Sequence, residues 1–187
     1  MTVVMPGVAT AVRLTGIVVL ASSLYITSAM ADTAINLHGN LVIPDCVVNN
    51  NNTVTVDFGD VDIQALPVAH TLYVPKTFSV PLDCPYTLGI PKLTVTAAVA
   101  TGGLAQDGTI RTTKDSEGLV VYLREQDGST PVTLNPGAGK DISSSVSGSS
   151  GTSRTLRLNA GIGQLNGVDK LMAGSFTATA SLQVRYE

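Results

Sequence analysis

Residues 174–187 constrain the fold more than any other stretch of this chain. Apolar and polar side chains alternate there without a break: Phe176, Ala178, Ala180, Leu182, Val184 and Tyr186 share one face, and Thr177, Thr179, Ser181, Gln183 and Arg185 share the other. A period of two is the signature of a strand with one buried face. Chain ends fray unless they are tied into a sheet, so a strand that alternates up to the penultimate residue is expected to be paired. With no sequence after it, its next neighbour is expected to come from elsewhere. Strand-like alternation, not helical periodicity, dominates the rest of the chain. Residues 35–43, 53–58, 72–82, 92–99, 119–124, 155–159 and 176–186 read as strands, separated by turn chemistry such as Gly102-Gly103, Asp107-Gly108, Asp127-Gly128 and Asn135-Pro136-Gly137.

Seven such strands, rich in Val, Thr and Leu, predict an all-β fold of two antiparallel sheets packed face to face, as in immunoglobulin-like domains. Pro75 and Pro81 lie within 72–82 and mark that strand as an edge or a bend, because proline cannot donate to a ladder. The Asn run at 49–52 and the Ser/Gly-rich stretch 143–153 read as flexible surface loops.

The amino end reads as an address. Residues 1–31 carry a single charge, Arg13, followed by an apolar run over 14–26 and an A-x-A site at Ala29-Met30-Ala31. This is the order of a cleaved export signal, with the cut expected after Ala31. A bilayer span wants roughly 20 consecutive apolar residues, and Thr15, Gly16, Ser22 and Ser23 interrupt this run, so no stable membrane insertion is expected. Losing Arg13 moves the formal charge from −3 to −4. An exported chain meets oxidising conditions, so Cys46 and Cys84 are expected to form a disulfide. The loop it closes predicts a stabilisation of about 4 kcal/mol on the chain-entropy estimate. A metal site would want three or four ligands, yet besides the cysteines only His38 and His70 are available, and neither sits at a finger-like spacing from them.

Between the cut and Cys46, residues 35–43 alternate again: Ile35, Leu37, Leu41 and Ile43 share a face, with Gly39 at its centre. Glycine at an inward position weakens a strand unless something must come close to it, so a tight fit is expected at Gly39.

These markers form a series: an N-terminal strand with a central glycine, Cys46, Cys84 some forty residues on, Gly174 fourteenth from the end, and the penultimate Tyr186. The series resembles the pilins assembled by the chaperone–usher pathway. The stretches Gly39-Asn-Leu-Val-Ile-Pro-Asp-Cys46, Val56-Asp-Phe-Gly, Cys84-Pro-Tyr, Gly118-Leu-Val-Val-Tyr-Leu and Gly174-Ser-Phe-Thr-Ala-Thr-Ala are similar to the tip-fibrillum subunits of P pili. The resemblance covers essentially all of the chain beyond the signal. It implies a signal peptide at 1–31, an N-terminal donor-strand extension at 32–44 and a pilin domain at 45–187. It also implies an incomplete immunoglobulin-like sandwich lacking its last strand, with a groove beside a C-terminal strand made of Gly174, Phe176, Ala178, Ala180, Leu182, Val184, Tyr186 and Glu187.

In such families a periplasmic chaperone lends a strand to the groove and engages the terminal carboxylate, here that of Glu187. At an outer-membrane usher the extension of the next subunit then replaces it. By resemblance Ile35, Leu37, Leu41 and Ile43 would enter the pockets of a neighbouring pilin in a homo- or heteropolymer, with Gly39 allowing close approach. Burying three or four such side chains is worth roughly 5–12 kcal/mol before ordering costs, comparable to the whole stability of a domain. The expected destination is a fimbrium on the cell surface, reached through the periplasm, with a role in cell adhesion.

Other classes find little support. Eleven Lys and Arg against 14 Asp and Glu, with 4% aromatic residues and no Trp, give neither a basic face nor stacking platforms for nucleic acid. A hydrolase elbow is not met at Gly148-Ser149-Ser150-Gly151-Thr152, where Thr152 replaces the last glycine. Gly137-Ala138-Gly139-Lys140 lacks a phosphate loop's first glycine, with Leu134 in its place, and has Asp141 where Ser or Thr belongs. No catalytic residue, cofactor or metal is expected. The alternative function is a receptor-binding adhesin that uses a loop of the pilin domain, since a separate lectin domain would need a longer chain.

Overall fold

A computed structural model describes residues 33–148 and 152–187. The export signal and its cut lie outside the described residues, as does the 149–151 portion of the Ser/Gly stretch. The chain divides into two units, residues 1–39 and 40–187. In the first, residues 33–39 have no regular secondary structure and are exposed.

The second unit contains nine strands among the described residues: β1 (Val47–Val48), β2 (Tyr73–Asp83), β3 (Pro91–Ala97), β4 (Thr109–Arg111), β5 (Leu119–Glu125), β6 (Lys140–Asp141), β7 (Val146–Ser147), β8 (Ser153–Gln164) and β9 (Ala180–Tyr186). One sheet runs β1-β2-β8-β5-β4 with β7 also on β8, and the other runs β6-β3-β9. The pairings between these strands are antiparallel. Central β8 is the spine of the larger sheet. Its Leu156, Leu158, Ala160 and Ile162 point between the sheets, where Leu93, Val95 and Val184 of the smaller sheet join the same buried cluster. The Cys46–Cys84 disulfide is formed and ties the start of β1 to the end of β2.

Beyond its predicted end at 159, β8 continues through Gly161 and Gly163. Their bare backbones admit the crossing segment at 71–73. A Cβ on Gly161 would stand 2.3 Å from the Leu72 side chain, and one on Gly163 would stand 2.4 Å from the Thr71 carbonyl oxygen. Leu72 there packs on a second small core of Ala100, Val120, Tyr122 and Leu165. In β2 the register shifts between Tyr73 and Lys76, which places Pro75 in a bulge. Near Pro81, β1 pairs β2 only at Leu82 and Asp83.

Three predicted strands change. Residues 35–43 and 53–58 form no ladder, and the last strand begins at Ala180 rather than 176. A period of two dictates which face a segment buries, but a strand also needs a partner edge. The Asn run is a built turn rather than a flexible loop: Asn49, Asn50 and Asn51 all take positive φ, a conformation asparagine tolerates better than most residues, and Asn49 Nδ2 donates to the Asn52 carbonyl at 3.0 Å. Ser145, assigned to the flexible Ser/Gly surface, is fully buried. Its hydroxyl accepts from the Gln126 N–H at 3.0 Å, and its carbonyl accepts from the Arg157 N–H at 2.8 Å.

Candidate functional site

Strand β9 is paired on one edge only. Its full length lies against β3, from Ala97 opposite Ala180 to Pro91 opposite Tyr186. Across the other edge the Cys46 N–H donates to the Val184 carbonyl at 2.8 Å, and Gln183 Nε2 donates to Asp45 Oδ2 at 2.7 Å. Toward the start of β9, no strand among the described residues lies on that side. Backbone groups of alternate strand residues point the same way, so Ala180 and Leu182 present their N–H and C=O to the edge that Val184 uses.

An open cleft of about 1220 Å³ runs beside this edge. One wall is the segment at 53–61, where Val54, Val56 and Phe58 turn inward at alternate positions while Thr53, Thr55 and Asp57 stay exposed. The opposite wall is 171–182, contributing Leu171, Phe176, Ala178, Ala180 and Leu182. The floor is the core face of the larger sheet: Ile110, Leu119, Val121, Leu123, Ala160 and Ile162. The Phe58 and Phe176 rings meet from opposite walls with centroids 6.1 Å apart.

The start of the second wall is fastened to the larger sheet. Thr112, just past β4, forms a bridge with Ala178, and the Thr113 N–H donates to the Thr177 carbonyl at 3.0 Å. Lys114 Nζ donates to both oxygens of Glu117, at 2.9 and 3.1 Å, and to the Met172 carbonyl at 2.9 Å, while the Met172 N–H donates to Glu117 Oε2 at 2.9 Å. The hydrogen bond from Lys114, with that from the Met172 amide, holds the Glu117 carboxyl below the usual glutamate range. Gly174 takes a φ of 139° beside the Lys114 stem.

Of the C-terminal residues singled out in the sequence, Gly174, Phe176, Ala178, Ala180 and Leu182 line the cleft. Val184 and Tyr186 do not; they are buried in the core beyond the point where Cys46 closes the edge. Glu187 pairs its backbone with that of Ile90 in both directions. In the leading segment Ile35, Leu37 and Leu41 are exposed, Leu37 at 90%, and Ile43 is exposed at 45%; a Cβ on Gly39 would meet nothing within 4 Å. Sequence reasoning missed the first wall and the floor. The signal for the wall is the alternation of 53–58, which predicts a strand but has no ladder. Among the described residues no group of three or more His, Cys, Asp or Glu is placed to hold a metal.

A two-sheet sandwich with an apolar cleft along an unpaired edge of its C-terminal strand is the incomplete immunoglobulin-like fold of a pilus subunit. The P pilus rod subunit PapA has this fold, with a TM-score of 0.56 at 18% identity, covering 82% of this chain and all of that one. The P pilus adaptor subunit PapF aligns with a TM-score of 0.51 at 26% identity, covering 79% of this chain and all of that one. The chain belongs to the fimbrial protein family, whose model matches residues 35–187 and so takes in the leading segment. The minor fimbrial protein PrsF of Escherichia coli is 31% identical over 88% of this chain and 95% of its own length. The fimbrial adapter PapF of the same organism is 32% identical over the same shares. The chain is thus a structural subunit of a fimbria.

Proposed function

We propose that this subunit polymerises by donor-strand exchange, with residues 32–44 as the strand it gives and the cleft beside β9 as the site that receives one. The observation that carries the reading is the match between an open, apolar, half-paired edge and a leading segment whose apolar residues alternate and stand exposed. Ile35, Leu37, Leu41 and Ile43 would fill the cleft of a neighbouring subunit, and Gly39 would let the two backbones approach. The accepting edge is formed by Phe176, Ala178, Ala180 and Leu182, with Val184 and Tyr186 anchoring the strand in the core. Residues 45–187 then form the pilin domain. Before assembly, a periplasmic chaperone would occupy the same cleft and an outer-membrane usher would exchange it, after export directed by residues 1–31. Similarity to a minor subunit and an adapter supports a place in the tip rather than the rod, contributing to adhesion through the fibre and not through catalysis.

The test is a thermal melt of the full chain alone and with a second copy of residues 32–44 appended after Glu187, through a flexible linker long enough to reverse direction. A large rise in melting temperature is expected. An unchanged melt from an already stable chain would mean that the sandwich needs no further strand, and the exchange reading would fall.

A further inference from the structure

The second wall of the cleft hangs between two anchors in different sheets. Its C-terminal half is β9, laddered to β3. Its N-terminal half, residues 172–178, crosses to the larger sheet, where Thr112 and Thr113 hold Ala178 and Thr177. At the far end, next to Leu171 packed on the core, two side chains, Lys114 and Glu117, grip both the N–H and the C=O of Met172. The pair is partly withdrawn from water, with side chains 14% and 12% exposed. A bond network that closes on backbone groups fixes position as well as adding energy. The Met172 side chain is exposed, so beyond the packing of Leu171 it is this grip on its backbone that holds it.

We propose that Lys114 and Glu117 are positioning residues for strand exchange: by fastening Met172 they hold residues 172–178 as a fixed wall, and so set how fast a strand lying in the cleft is released in favour of another. The proposal rests on the strand-exchange reading above. Lys114 and Glu117 also line the cleft themselves, but what they add as positioning residues is the grip on Met172. Their effect passes through Phe176 and Ala178, which line the cleft between the grip and β9. Gly174 fits this arrangement, since a Cβ there would stand 3.6 Å from both Lys114 Cε and Nζ, at a φ that side chains rarely adopt.

The experiment uses the full chain with a fluorescent peptide of residues 33–45 as the guest. Two quantities are read: hydrogen exchange at the Met172 and Thr177 amides, with the β8 amides as reference, and the release rate of the peptide under chase. With Lys114→Met, both are expected to rise about tenfold, the size of losing charged hydrogen bonds, while β8 stays protected. Lys114→Arg, which can still bridge Glu117 and the Met172 carbonyl, should restore both. Glu117→Gln, the milder change should Lys114→Met fail to fold, should give a smaller rise in the same direction. Unchanged exchange at Met172 and Thr177 would overturn the grip. Faster amide exchange with an unchanged release rate would overturn its role in strand exchange. A uniform loss of protection that includes β8 would show a merely structural pair and also overturn it. A wild-type chain that retains no peptide would instead sink the underlying strand-exchange reading for this extension.

Discussion

If residues 32–44 are a donor strand, substitutions along an appended copy should obey a period of two. Leu37 is 90% exposed in the chain as it stands, so Leu37→Ala at its natural position should change stability by less than about 0.5 kcal/mol, as exposed substitutions do. In the copy appended after Glu187, the same leucine would be buried against a floor that includes Leu123, Ala160 or Ile162. Burial of a leucine is worth about 1.5–3 kcal/mol, and truncating it in place leaves a hole, so a loss of about 2–5 kcal/mol is expected. Leu41→Ala should behave alike. The even positions, Asn36, His38 and Asn40, should each cost less than about 0.5 kcal/mol as alanine. Gly39→Leu should be as damaging as Leu37→Ala, although it adds apolar surface. The assay is guanidinium unfolding of each fusion beside the same substitution in the unfused chain. A flat profile, or one in which the even positions carry the cost, would refute the reasoning, because slipping the register by one residue exchanges the two faces.

Joint replacement of Cys46 and Cys84 by alanine should lower stability by about 4 kcal/mol, the chain-entropy value for residues 38 apart, measured by denaturant melts in the absence of reductant. A double-mutant cycle on Phe58→Ala and Phe176→Ala should return a coupling of about 0.5–1.5 kcal/mol, reporting that the two walls touch across the cleft; zero coupling would mean that they do not. Gly163→Ala should cost about 1–3 kcal/mol, since its methyl would collide with the Thr71 carbonyl oxygen and with the buried Tyr122 ring. Acid should loosen the wall. The Glu117 carboxyl lies below its ordinary value of 4.5, so its contribution is complete above that pH and fades as pH falls through the lowered folded value. The Met172 amide resonance should therefore shift in that acid window in the wild type but not in Glu117→Gln.

Much of this architecture was legible. The cores of β2, β3 and β9 were visible as alternation, β5 as a short continuous apolar run, and Cys46 and Cys84 as a pair. The short strands β1, β4, β6 and β7 were not, because two or three residues carry no period. The reach of β8 was hidden by Gly161 and Gly163, whose role is a close crossing by residues far away in sequence. The Lys114–Glu117 grip left no sequence signal at all. Spacing of three suggests a local ion pair on a turn, and nothing in the sequence says that both members close on Met172.

The disagreements between pattern and structure are not scattered. Three segments carry strand periodicity yet lack a ladder: residues 35–43, 53–58 and the stretch before Ala180. The second and third are the two walls of the cleft, and the first has the apolar spacing to lie between them. Alternation records which side chains were selected to face an apolar surface, whereas a ladder records whether a partner edge is present in the same chain. Under the strand-exchange proposal, a segment with the first and without the second is patterned for a partner chain. The same logic separates these segments from the Asn turn and from Ser145, where the sequence misled for local reasons and no alternation was left over. In a sandwich of this kind, unpartnered periodicity is thus a more specific pointer than any reactive side chain, and here it points to the stretch from Phe176 to Leu182, which leads into β9 and which the strand-exchange proposal makes the accepting edge.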